Sequence, residues 1–136
     1  MVPFSLKIIS IDRVFFDGEC LQIQMPTPTG SRGVLAHHAN AVVGISTGEL
    51  RIQTLDEKWQ TAVTGTGYAR IGHNKVMMIV DTCERPEEID ERRAIEAKER
   101  AEEQLRQKQS VIEFKHSQAN LARAMVRLKV KRNINN

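Results

Sequence analysis

Glu84-Arg85-Pro86-Glu87-Glu88-Ile89-Asp90-Glu91-Arg92-Arg93-Ala94 is the stretch at which this chain changes character. Upstream, short alternating apolar runs are broken by glycine turns. Downstream, residues 87–136 contain neither Gly nor Pro and are dense in charge and alanine. The stretch predicts a boundary between a strand-built body, residues 1–85, and a helical arm, residues 86–136. A charged hinge at that boundary is a natural place for a switch.

Working outward on the arm side, residues 90–108 consist of strong helix formers. Asp90 suits an N-cap, because its carboxylate can accept hydrogen bonds from the first unpaired backbone N–H groups. Ala94, Ala97, Ala101 and Leu105 recur at helical spacing, and Gln109-Ser110 is a weak break. A second pattern follows, Phe114, Gln118, Leu121, Met125 and Leu128, which reads as a heptad-like seam. The arm is therefore expected to be an antiparallel two-helix hairpin. An alanine seam removes little apolar area from water, whereas each buried Leu or Ile contributes roughly 1.5–3 kcal/mol. The hairpin should be marginal by itself.

The arginines suggest what could hold such a hairpin closed. Arg93 and Arg100 are seven residues apart, and Arg123 and Arg127 are four apart, so each pair shares a helical face. Antiparallel pairing returns the second pair toward the first. Guanidinium groups gathered in this way repel one another unless an anion lies between them, and their donor forks match phosphate oxygens. Spacing alone leaves open the alternative that each arginine is a separate surface charge paired with Glu96, Glu99 or Glu103.

On the body side, Leu21, Ile23 and Met25 alternate with Gln22 and Gln24, and Leu50 and Ile52 alternate with Arg51 and Gln53. This is the period of half-buried strands. Val76-Met77-Met78-Ile79-Val80 is a continuous apolar run, expected to form a strand covered on both faces. Turn signals fall at Asp17-Gly18, Thr29-Gly30, Thr47-Gly48, Leu55–Lys58 and Gly72-His73-Asn74, with Asp17-Gly18 expected to close a hairpin. Short strands at this spacing predict a small β-sandwich or flattened barrel. The fold class expected for the whole chain is α+β, an all-β domain followed by the helical hairpin.

Several chemistries are excluded. Gly67 and Gly72 have the spacing of a phosphate loop, but His73 and Asn74 follow where Lys and Ser/Thr are required, so a plain turn is expected. His37 and His38 would point to opposite sides of a strand, and His73 and His116 are scattered, which predicts no metal site. Cys20 and Cys83 read as reduced core residues. No nucleophile, base and acid set can be argued from spacing, so an enzyme is not expected. The apolar stretches are far short of the roughly 20 residues that span a bilayer, so no direct membrane insertion is expected. The net charge of +3 is unevenly spread: residues 1–83 balance seven basic against seven acidic side chains, residues 84–112 seven against nine, and residues 113–136 six against one. A nucleic-acid module would interleave aromatics with the basic tail, and only Phe114 lies there. A ligand-free coiled-coil scaffold is the alternative that survives.

The chain resembles the epsilon subunit of the rotary F-type ATP synthase along nearly its whole length. The likeness is carried by Arg13-Val14-Phe15-Phe16-Asp17-Gly18-Glu19, Gly33-Val34-Leu35-Ala36-His37-His38-Ala39, Val63-Thr64-Gly65 and Asn74-Lys75-Val76 in the body. In the arm it is carried by Ala97-Lys98-Glu99-Arg100-Ala101-Glu102 and Ala122–Leu128. Ile89-Asp90-Glu91-Arg92-Arg93-Ala94 matches the Ile/Leu-Asp-x-x-Arg-Ala motif of ATP-sensing members. Ala36-His37-His38, Ser31 and Thr66-Gly67-Tyr68 depart from the usual pattern.

The resemblance implies a non-catalytic, regulatory central-stalk subunit whose body binds the gamma subunit and rests on the c-ring, with Ser31, Arg32 and His38 at that interface. It implies ATP, with or without Mg, as a regulatory ligand bound by Glu84, Ile89, Asp90, Arg93, Ala94, Arg100, Arg123 and Arg127, with Glu84, Ile89 and Asp90 near adenine and the four arginines near ribose and phosphates. With ATP bound the hairpin would lie folded. With ATP scarce it would extend toward the alpha and beta subunits, where Arg123, Arg127, Lys129, Lys131 and Arg132 would meet acidic surface and block hydrolysis. The implied location is peripheral, at the cytoplasmic face of a bacterial plasma membrane, with the plastid thylakoid as the alternative.

Overall fold

The computed structural model describes residues 1–106 and 111–135, with side chains over 1–106 and 116–134. It divides into two compact units, Met1–Arg85 and Pro86–Asn136.

The first unit holds ten strands: β1 (Phe4–Ile9), β2 (Val14–Cys20), β3 (Gln22–Thr27), β4 (Gly30–Leu35), β5 (Ala41–Ile45), β6 (Gly48–Gln53), β7 (Trp59–Thr64), β8 (Gly67–Gly72), β9 (Lys75–Val80) and β10 (Cys83–Glu84). They form two five-stranded sheets, in the orders β2-β1-β9-β8-β5 and β10-β7-β6-β3-β4. Among the described residues, β1 and β9 pair in parallel and the other pairs are antiparallel. Alternation places Phe4, Leu6 and Ile8 of β1, Ile23 and Met25 of β3, Leu50 and Ile52 of β6 and Met78 of β9 in one buried, mostly aliphatic core. Each contributes roughly 1.5–3 kcal/mol, so few aromatics are needed.

Two strand expectations change. Val14–Cys20 is one continuous strand, with Asp17 opposite Lys7 and Gly18 opposite Leu6, so Asp17-Gly18 is not a hairpin turn. Gly18 does not take a positive φ. The reversal lies earlier, where Ser10 N–H donates to the Arg13 carbonyl at 2.9 Å and Ser10 Oγ donates to Asp12 Oδ1 at 2.8 Å. The second change is in β9. Val76, Met78 and Val80 are buried, but Met77 is 43% exposed, alongside Val42 and Tyr68 on the same outer face. The continuous apolar run thus equips an uncovered face instead of a doubly covered strand.

The predicted turn at Gly72-His73-Asn74 forms, with His73 at φ 52° and Asn74 at φ 57°. Asn74 also ties three segments together: Oδ1 accepts the His37 N–H at 2.9 Å, and Nδ2 donates to the Pro3 carbonyl at 3.2 Å. Asn74→Ala removes both bonds and leaves a Cβ-bearing residue without local side-chain support in the left-handed region, and is expected to cost about 2–4 kcal/mol. Asn74→Gly keeps the φ and loses only the bonds, so its urea midpoint should fall by distinctly less. Equal midpoints for the two variants would refute this account.

Both cysteines are free and buried, and burial pushes the Cys20 thiol up to about 12. His37 lies in the turn after β4, at φ 60°, and His38 in the irregular stretch that follows, so the two do not point to opposite sides of a strand. Gly65 and Gly67 bracket the β7–β8 turn, where Gly65 N–H donates to the Thr82 carbonyl at 2.9 Å. Phe15 is flanked by two guanidinium groups, Arg13 at 5.6 Å and Arg85 at 4.7 Å from its ring centre, and Arg13 Nη2 donates to the Cys83 carbonyl at 3.0 Å.

The second unit begins with a single 3-10 turn, Pro86–Glu88, and continues with helices α1 (Glu91–Arg106) and α2 (Val111–Asn135). Asp90 caps α1 as expected: Oδ1 accepts the Arg93 N–H at 3.2 Å. The two helices pack on each other, and α2 also packs on the 3-10 turn. On α1, Ala94 and Ala101 are buried, with Ala97 and Leu105 half-buried. On α2 Ser117, Ala124, Leu128 and Val130 are buried and Leu121 is half-buried. The expected seam holds at Leu121 and Leu128 and is corrected at two positions: Gln118 is exposed and Met125 is 51% exposed, because the buried stripe passes through Ser117 and Ala124, one residue earlier, at those turns. Small and polar residues hid it from a search for large apolar ones. Gln109-Ser110 and the Phe114 side chain lie outside the described residues.

Candidate functional site

A cavity of about 290 Å³ opens between α1 and α2. Its floor is Ala97 and Ala101, and its walls are Arg100 and Gln104 from α1 and Asn120, Arg123 and Arg127 from α2. Alanine makes the space, since a larger side chain at either position would fill it. Helical spacing supplies the walls: Gln104 stands one turn beyond Arg100, and Asn120, Arg123 and Arg127 follow one another at three and four residues on one face of α2. Among the described residues that line the cavity, none is acidic.

Two carboxylates of α1 pair along their own helix. Glu96 pairs with Arg92 at 3.4 Å, and Glu103 pairs with Arg106 at 3.2 Å. Arg100 Nε donates to the Glu96 carbonyl at 3.4 Å, which draws its side chain back along α1. The chemistry on offer is three permanent cations and two neutral amides around a small polar space, which suits an anion rich in oxygen acceptors.

Of the residues expected at a nucleotide site, the structure brings Arg100, Arg123 and Arg127 together. It does not bring the others into this cavity. Arg93 has an 86% exposed side chain, 3.9 Å from Asp90. Asp90 is engaged as the cap of α1, and Ile89 and Ala94 are buried. Glu84 belongs to the first unit, in β10, opposite Val63. Gln104 and Asn120 were missed by sequence reasoning that counted only guanidinium groups. The signal that finds them is their position one turn from Arg100 and Arg123.

The basic end of α2 is also placed. Lys131 Nζ donates to the Pro86 carbonyl at 3.3 Å, and Arg132 pairs with Glu91 at 3.4 Å. These contacts fasten the end of α2 to the start of the unit; Lys129 is exposed. Ser31 and Arg32 are exposed on β4 opposite Pro26 and Met25, and line a concavity with Val42 and Gly44. His38 is half-buried, its Nδ1 2.7 Å from the Ala39 carbonyl, and does not join them. Among the described residues there is no group of three metal-ligating side chains, and no helix is long and apolar enough to cross a membrane.

The chain thus combines a strand sandwich with a two-helix unit whose cavity is lined by guanidinium and amide groups. Comparison with known proteins is specific about the family. Residues 3–86 match the β-sandwich domain of the ATP synthase delta/epsilon chain, and residues 87–132 match its long alpha-helix domain. The ATP synthase epsilon chain of Ruminiclostridium cellulolyticum is 46% identical over 128 residues, covering 94% of this chain and 95% of that one. That of Caldicellulosiruptor bescii is 41% identical, covering 96% and 94%. A chain of the Euglena gracilis mitochondrial ATP synthase shares the fold, with a TM-score of 0.78 at 21% identity over 92% of this chain and 78% of its own. The chain belongs to the epsilon chain family of the F-type ATP synthase, a non-catalytic subunit of that complex.

Proposed function

We propose that this chain is an ATP-responsive epsilon subunit of the central stalk, whose helix pair closes on ATP and restrains ATP hydrolysis when it opens. The observation that carries this reading is the convergence of Arg100, Arg123 and Arg127 on a cavity floored by alanine. Ile89-Asp90-Glu91-Arg92-Arg93-Ala94, the motif of ATP-sensing members, supports it. ATP, with or without Mg, is the regulatory ligand, with Arg93 and Asp90 reached when the site closes around it.

The linkage is simple. A ligand that binds only the closed pair favours it by about 2.7 kcal/mol at a hundred times its dissociation constant. That is enough to govern a helix pair whose α1 side is largely alanine. When the pair opens, Lys131 and Arg132 leave Pro86 and Glu91 and, with Arg123, Arg127 and Lys129, become available to acidic surface on the alpha and beta subunits.

The sandwich is the anchor. Its outer face, with Val42, Tyr68 and Met77 exposed, suits an apolar surface on the gamma subunit. Ser31 and Arg32 on β4, together with His38, suit the polar loops of the c-ring. The chain would then sit peripherally, at the cytoplasmic face of a bacterial plasma membrane.

Hydrogen exchange over residues 84–132, with and without ATP, tests this. Amides of α1 and of residues 116–132 should slow at least tenfold with ATP, while those of the sandwich core stay unchanged. Identical exchange in both conditions would favour a ligand-free helical scaffold.

A further inference from the structure

The cavity between the helices holds more than its three cations. Ser117 is a buried polar residue, 2% exposed, in the middle of α2. Its Oγ donates to Gln104 Oε1 at 3.0 Å, across the helix pair. A primary amide has one acceptor end and one donor end. With Oε1 held by Ser117, the group that Gln104 offers to the cavity it lines is Nε2, which can only donate. Asn120, three residues from Ser117, brings a second amide to the same end. The site is therefore graded along the helices: guanidinium groups at Arg127, Arg123 and Arg100, then neutral amides at Asn120 and Gln104.

From Ala97 to Gln104 the lining spans about 10 Å of helix rise, which is more than one phosphate group occupies. A single phosphate would be satisfied by the guanidinium forks alone, whereas a chain of phosphates reaches past them to the amides. Resting on the nucleotide reading above, we infer that Gln104 binds the phosphate chain through Nε2 and that Ser117 is the residue that positions it.

The test is calorimetric titration of the whole chain with ATP, for the parent, Gln104→Ala, Gln104→Glu, Ser117→Ala and the Gln104→Ala, Ser117→Ala double variant. Gln104 is exposed but accepts from the buried Ser117, so far-ultraviolet circular dichroism checks that each variant keeps its helices. A hydrogen bond to a charged acceptor lost from the site predicts about a tenfold loss of ATP affinity for Gln104→Ala. Gln104→Glu should lose more, because a carboxylate faces phosphate. Ser117→Ala should weaken ATP several-fold in the parent and leave the Gln104→Ala variant unchanged, the non-additivity expected when one residue acts through another. If the parent binds ATP and Gln104→Ala binds it equally well, this inference fails alone. If the two losses simply add, Ser117 is not a positioning residue. If the parent binds no ATP, the nucleotide reading fails and this inference with it.

Discussion

Gly67→Ala is expected to lower the thermal unfolding midpoint of the sandwich by about 12–24 °C, the shift corresponding to roughly 3 kcal/mol in a domain of this size. A Cβ on residue 67 would overlap the Ile79 carbonyl oxygen and lie 2.7 Å from Val80 Cα. Both obstacles are backbone, so no rotamer change relieves them. The strand they belong to, β9, is the middle strand of its sheet, held by β1 on one side and β8 on the other. It can yield only by breaking pairs on one edge. Gly33 and Gly44 have no atoms within 4 Å of the corresponding position. Gly33→Ala and Gly44→Ala should therefore melt within a few degrees of the parent. Circular dichroism melts of the three variants decide the matter, and a Gly67→Ala midpoint beside the other two would end the steric account.

Arg123→Ala combined with Arg127→Ala is expected to reduce ATP affinity by about a hundredfold to ten-thousandfold, on the basis of roughly 1.5–3 kcal/mol for each hydrogen bond to a charged group. The two residues supply two of the three cations around the cavity, and neither can be replaced from α1, where Arg100 already lies against Glu96. Arg93→Ala should cost less, since its side chain is 86% exposed and stands beside Asp90. Titration with ATP at two salt concentrations measures this. The parent should weaken as salt rises, and the double variant should show a flatter dependence. A double variant that binds ATP as tightly as the parent would leave the cavity without a phosphate role.

The sequence was a good guide where the pattern was built from large side chains or from charge. Ile23 with Met25 and Leu50 with Ile52 announced buried strand faces, and both are in the core. Asp90 announced the start of α1 and caps it. The arginine spacing on α2 predicted a shared face, and both residues line the cavity. Patterns of small residues were harder to read. The stripe of α2 that packs inward runs through Ser117 and Ala124, which carry no hydrophobic signature, so it was placed one residue off, on Gln118 and Met125. Gly18 shows a different limit. Glycine permits a turn without requiring one, and the turn formed where Ser10 could hydrogen-bond Asp12 and Arg13. Gln104 was passed over because only guanidinium groups were counted, and its bond to Ser117, thirteen residues away on the other helix, leaves no trace in sequence spacing.

The alanine seam described for α1 also bears on heat capacity. Heat capacity rises with the apolar area that becomes hydrated, and separating Ala97 and Ala101 from their neighbours hydrates methyl groups, not isobutyl groups. The α1 side of the seam should then add little to the heat-capacity change of opening, which leaves Leu121, Leu128 and Val130 of α2 as its main apolar source.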